Sequence, residues 1–242
     1  FVIGSCFLSA SLVTSAANLE KTKYRTSFGS CPSRSAGNFA LSIIKNFDSN
    51  KSLKSLKEKI IKERLLDKNF ISNYSIDYDP YNNFLNMKVN CPKPLLKVQV
   101  YKSKYKKSEE AILVDNGSFF DPTYEVLLRS EKKLNDQLPF LALPNINITS
   151  KLQQKLTEFV GEMDVRIGKY LSELILNDDF EMTAIFSFDG IPSSVFLGSK
   201  YWNLKRNKLT RILSYMRKKR KIPTIINLTN PKKVVVKFSH KN

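Results

Sequence analysis

The chain has 242 residues, 42% of them apolar, which is enough to bury a core and excludes a disordered tail. Lys and Arg number 40 against 22 Asp and Glu, and the formal charge of +18 invites an anionic partner. That charge is spread along the whole chain among Asn and Ser, so it does not by itself mark a nucleic-acid surface.

Residues 1–19 carry no charge, and Glu20 is the first charged side chain. The stretch is close to the roughly 20 residues that a bilayer-spanning helix needs. It reads as the outer part of a signal anchor. A cleaved signal peptide and a lipoprotein signal around Ile3-Gly4-Ser5-Cys6 are the alternatives. Lys21, Lys23 and Arg25 follow directly, against the positive-inside tendency for an outer face.

Residues 22–29 alternate as a short strand, and Cys31-Pro32-Ser33 reads as a turn. Phe39, Ile43, Ile44 and Phe47 predict a helix over Ser35 to Phe47. Leu53, Leu56, Ile60, Ile61 and Leu65 predict a second, with Ser52 as its cap. Strands are expected over Ile71 to Asp79 and Phe84 to Cys91, joined by the turn-rich Asp79-Pro80-Tyr81-Asn82-Asn83. The order is strand, helix, helix, strand, strand.

Pro92 and Pro94 suggest a boundary. Leu95 to Tyr101 is strand-like, residues 102–110 form a solvated loop, and Ala111 to Val114 is a short strand. Asp115-Asn116-Gly117 reads as a hairpin turn, with Asn-Gly supplying positive φ angles. Residues 121–149 look irregular, with Pro139 and Pro144 limiting any helix. A helical region is expected from Ser150 to about Leu176, interrupted at Gly161 or Gly168.

Glu181 to Phe188 and Ser194 to Leu197 flank Asp189-Gly190-Ile191-Pro192, a second hairpin. A helix with Leu204, Leu209, Ile212, Leu213 and Met216 follows and ends in the basic run 217–221. Thr224 to Leu228, the turn Asn230-Pro231-Lys232, and Lys233 to Phe238 close the chain.

The residues give little for catalysis. His240 lies in a polar tail, and none of the eight glycines makes a phosphate loop. Asp115 and Asp189 sit at hairpin turns, where Asp serves backbone hydrogen bonding. The run 217–221 reads as a solvated helix end that complements the helix dipole. Asn147 and Asn227 begin glycosylation sequons, a pattern common by chance. Among Cys6, Cys31 and Cys91 there is no Cys-x-x-Cys pair, which leaves too few close ligands for a structural zinc site. Cys31 and Cys91 read as two free buried thiols, with a disulfide as the alternative in an oxidising compartment. Val234-Val235-Val236-Lys237-Phe238 is strongly β-prone and lies last in sequence. At a sheet end it would offer unpaired backbone groups to a partner's strand, while an ordinary covered strand is the other reading.

Four stretches, in order, resemble the FtsQ/DivIB family of bacterial cell-division proteins. They are YSIDYDPYNNFLNMKVNCPKPLLKV; ILVDNGSFF with the later QLPFLALP; FSFDGIPSSVFLGSKYWNLKRNKLTRIL; and IPTIINLTNPKKVVVKF. Asn227 and Thr229 depart from the family pattern, which often has Asp and Arg there. Residues 22–47 lack its Val-x-Gly.

The resemblance implies an α+β protein in three parts: the end of a membrane segment (1–20), a POTRA-like domain (21–93) and a mixed β-sheet domain with helices on one face (94–242). It implies a single-pass protein of the bacterial inner membrane, with its bulk periplasmic. The role would be a non-catalytic divisome scaffold in septum formation, without cofactor, metal, small-molecule substrate or nucleic acid. Its partners would be membrane proteins of the FtsB/FtsL type, docked by strand addition at Asn230, Lys233, Val234, Val235, Val236, Lys237 and Phe238. Arg211 matches a family arginine that would face an acidic partner residue. A POTRA-containing factor for outer-membrane protein assembly or secretion, and a basic nucleic-acid-binding protein, are the alternatives.

Overall fold

A computed structural model describes residues 21–101, 109–144, 148–230 and 232–238. The uncharged stretch, most of the Lys-rich loop, Asn147, Pro231 and His240 lie outside the described residues. Among the described residues no helix is long and apolar enough to cross a membrane.

The first unit is a three-stranded sheet with helices packed on it. β1 (Lys23–Ser27) runs parallel to β3 (Phe84–Asn90), and β2 (Asn73–Asp79) pairs antiparallel on the other side of β3. Two long helices, α1 (Ser33–Asn50) and α2 (Leu53–Lys62), form the connection, and a four-residue α3 (Leu65–Lys68) is an addition to the expected order. The central strand places Leu85, Met87 and Val89 inward at period two, against Phe39, Ile43 and Phe47 of α1 and Leu56 and Ile60 of α2. Ser52 caps α2 as expected: its hydroxyl accepts the Ser55 N–H at 3.3 Å.

α1 has no side-chain cap of its own, because Pro32 stands at its N-cap. Its leading N–H groups are satisfied from the second unit. The Glu131 carboxylate accepts from Ser33 N at 2.7 Å and Arg34 N at 3.3 Å. Lys133 pairs with Glu131 at 3.3 Å and donates to the Cys31 carbonyl. Beside this contact Cys31 and Cys91 are joined as a disulfide, not held as the free thiols expected. The expectation failed because sequence separation hides how closely the turn before α1 approaches the end of β3.

The second unit is a nine-stranded mixed sheet in the order β12-β11-β10-β9-β8-β7-β4-β5-β6. Its strands are β4 (Pro94–Tyr101), β5 (Glu109–Val114), β6 (Phe119–Phe120), β7 (Phe140–Pro144), β8 (Leu171–Leu176), β9 (Met182–Phe188), β10 (Ile191–Gly198), β11 (Ile225–Asn227) and β12 (Val235–Lys237). Its helices are α4 (Thr123–Ser130), α5 (Ser150–Gly161), α6 (Val165–Gly168) and α7 (Trp202–Lys218). The main core gathers Leu156 and Phe159 of α5, Ile167 of α6, and Leu209 and Leu213 of α7 over the strands.

α4 departs from the one-sided arrangement expected. Alternation along β5 sends Leu113 to the main core and Ile112 and Val114 to the opposite face, where Tyr124 and Leu128 of α4 cover them. There Phe70 of the first unit stacks on Tyr124 at 4.9 Å, and the Tyr124 hydroxyl donates to the Pro92 carbonyl. Buried Glu125 on α4 is paired with Lys97 at 3.0 Å and Arg129 at 2.7 Å.

The stretch expected to be irregular therefore holds α4 and β7, and Leu171–Leu176 is a strand where a helix was expected. A register shift between Leu171 and Glu173 turns both Leu171 and Leu174 inward. That bulge reproduces the three-residue spacing of a helix face. The 115–117 turn also differs from expectation: Gly117 alone is at positive φ, +84°. At the β9–β10 hairpin Asp189 and Gly190 are both at positive φ, 51° and 82°, as a primed turn requires.

Candidate functional site

β12 lies at one end of the nine-stranded sheet, and among the described residues β11 is its sole sheet neighbour. The pairing is antiparallel, with Asn227 opposite Val235, Ile226 opposite Val236 and Ile225 opposite Lys237. The regular strand is three residues long, shorter than the Lys233 to Phe238 expected. Thr224 extends the contact by donating its N–H to the Lys237 carbonyl at 2.9 Å.

The strand's two faces differ. Val234 packs against the main core and Val236 is half-buried over Ile226, which is fully buried. Val235 is 58% exposed and Phe238 38% exposed, so apolar area sits beside the open backbone edge. Lys233 and Lys237 are exposed and flank it. Asn230 builds the preceding turn, its side-chain oxygen accepting from Lys232 N at 2.8 Å and Lys233 N at 3.3 Å.

A feature the sequence reading missed adjoins this turn. Tyr201, Leu204, Lys205, Lys208, Leu228 and Asn230 line a hollow of about 400 Å³ between the start of α7 and the β11–β12 connection. Leu204, one of the apolar residues that mark this helix in the sequence, is 69% exposed at this hollow, and Tyr201 is 66% exposed. Lys205 is buried instead. Its ammonium donates to the Leu197 carbonyl at 2.6 Å and reaches the Thr229 carbonyl at 3.5 Å, tying α7 to the turn that launches β12. Burial lowers its pKa. The sequence signal was weak, since a lysine within a basic helix reads as solvated.

Arg211 does not join the group. It is exposed on α7, about one turn beyond Lys208, and its side chain makes no hydrogen bond or ion pair among the described residues. The structure thus brings Asn230 and the strand together with the hollow, while Arg211 lies beyond it on the side of α7 that carries Leu204 and Lys208.

No family model and no curated protein matches the chain. A matching solved structure is the major extracytoplasmic domain, trans isomer, of the bacterial cell division protein DivIB from Geobacillus stearothermophilus. The match is 15% identical, covers 50% of this chain and 87% of that one, and has a TM-score of 0.30. The docking reading rests on the edge geometry and on the sequence segments, not on that likeness.

Other sites offer less. Among the described residues no group of three or more His, Cys, Asp or Glu side chains is placed to hold a metal. Asp115 accepts the Lys93 N–H at 3.0 Å, and Asp189 occupies the β9–β10 turn at positive φ.

Proposed function

We propose that the chain is a non-catalytic docking module that accepts a strand of a partner protein on the open side of β12. The observation that carries this is the edge itself: a terminal strand, paired on one side only among the described residues, with Val235 exposed beside it. Open edges are templates for pairing, and native proteins usually cover or blunt them. Strand addition supplies main-chain hydrogen bonds, and neighbouring pockets select side chains. The hollow at Tyr201 and Leu204 is placed to take an apolar side chain from the same partner.

The ordered sequence segments support a bacterial division role, with coiled-coil membrane proteins of the FtsB/FtsL type as partners. The uncharged residues 1–19 support anchoring in the inner membrane with the described units outside it. The Cys31–Cys91 disulfide is consistent with that placement, since such bonds persist in oxidising compartments.

Amide hydrogen exchange with and without the extracytoplasmic segment of an FtsB-type partner tests the reading. Protection gained over residues 234–238 supports strand addition. Saturated binding that leaves these amides exchanging as before rejects it.

A further inference from the structure

We propose that the end of the first unit formed by Thr22, the α1–α2 turn and the β2–β3 hairpin rests on a phospholipid bilayer surface, with Tyr81 inserted among the headgroups. This deepens, and rests on, the reading of residues 1–19 as a membrane anchor.

The leash is short. Thr22 is already buried at 7% exposure, and only Glu20 and Lys21 separate it from the last residue of the uncharged stretch. Three extended residue steps span about 10 Å at most, so this end cannot stand far from wherever that stretch lies.

The end is also one braced platform. The Lys23 N–H donates to the Asn83 carbonyl at 2.8 Å, and the Thr22 hydroxyl donates to the Asn83 side chain at 3.0 Å. Lys51 donates to Thr22 and pairs with Asp48 at 2.9 Å, while the Tyr24 hydroxyl donates to Asp48. Three chain segments are thereby fixed to one another at the point where the chain arrives. The second unit bonds to the first elsewhere, at the opening of α1.

Tyr81 is the group this platform presents. It is 97% exposed at the hairpin tip, two residues from Asn83. Its turn is held by Asp79, which accepts from Tyr81 N at 2.9 Å and from the Asn82 side chain at 2.6 Å. A fixed, protruding tyrosine suits the headgroup layer, where its ring meets apolar matter and its hydroxyl stays wet. The charges of this end among the described residues nearly balance: Lys21, Lys23 and Lys51 against Asp48 and Asp79. Contact should therefore depend little on headgroup charge.

The test places Tyr81→Trp in the full chain, reconstituted with vesicles of phosphatidylcholine alone or mixed with phosphatidylglycerol, with lipids brominated near the headgroup. Trp202, the chain's own tryptophan, is buried in the second unit and serves as the internal reference. We expect the added tryptophan to emit to the blue and to be quenched in both vesicle types. Chain that floats with vesicles while the added tryptophan emits as in water overturns the contact and leaves the anchor intact. Chain that fails to float overturns the anchor, and the contact with it.

Discussion

The Glu131 carboxylate accepts the Ser33 N–H at 2.7 Å, across 98 residues of sequence. This bond supplies, from the second unit, the cap that the Pro32-led helix lacks. The Ser33 amide, first among several donors, pulls the Glu131 carboxyl down to about 2. A carboxyl depressed in the folded state contributes stability above its ordinary value and loses it as pH falls towards the folded one. Between about pH 4.5 and about pH 2 the protein should therefore lose stability that a Glu131→Gln variant does not lose. Denaturant melts of both forms across that range check this. Parallel curves would mean that Glu131 does not cap α1 in solution.

The Cys31–Cys91 bridge closes a loop with a sequence separation of 60 beside the same junction. Its removal in a Cys31→Ser, Cys91→Ser double variant should cost about 2–4 kcal/mol, chiefly by freeing the unfolded chain. Equilibrium unfolding of wild type and double variant in non-reducing buffer reads the difference. Equal midpoints would show that the two sulfurs are not bonded.

Lys205 holds the turn before β12 through the Leu197 and Thr229 carbonyls. Lys205→Met keeps the bulk and removes the donors, at a cost of about 1–3 kcal/mol for the charged hydrogen bonds lost. The expected local result is faster amide exchange at residues 235–237 and weaker partner binding, with the α5–α7 packing retained. Unchanged exchange in β12 would show that the turn is held by Asn230 and Asn227 alone.

Much of the fold was legible in local pattern. The Ser52 cap, the Asp189-Gly190 hairpin and the terminal strand follow from chemistry within a few residues of each element. The misreadings have physical causes. β8 looked helical because its bulge faces Leu171 and Leu174 the same way. α4 was passed over because prolines flank its neighbourhood, although Pro122 at its N-cap suits a helix start. The Glu131 cap and the disulfide join segments far apart in sequence, and no periodicity signals them. At the candidate site, the strand and Asn230 were readable from β-propensity and turn chemistry. Leu204 and Lys205 exchange the burial their types suggest, because α7 turns Leu204 towards the open hollow and Lys205 towards carbonyls left by the β10 and β11 ends.

The most direct test of strand docking is the affinity of a Val236→Pro variant for the extracytoplasmic segment of an FtsB-type partner, measured by calorimetry beside its own melting curve. Ile225 and Asn227 turn their backbone groups to Lys237 and Val235, so the Val236 N–H faces the open side, and proline there removes a donor that only a docked strand would use. The account predicts that binding is lost while the melting temperature stays close to wild type, since the strand is terminal and three residues long. Wild-type affinity in the variant would contradict it.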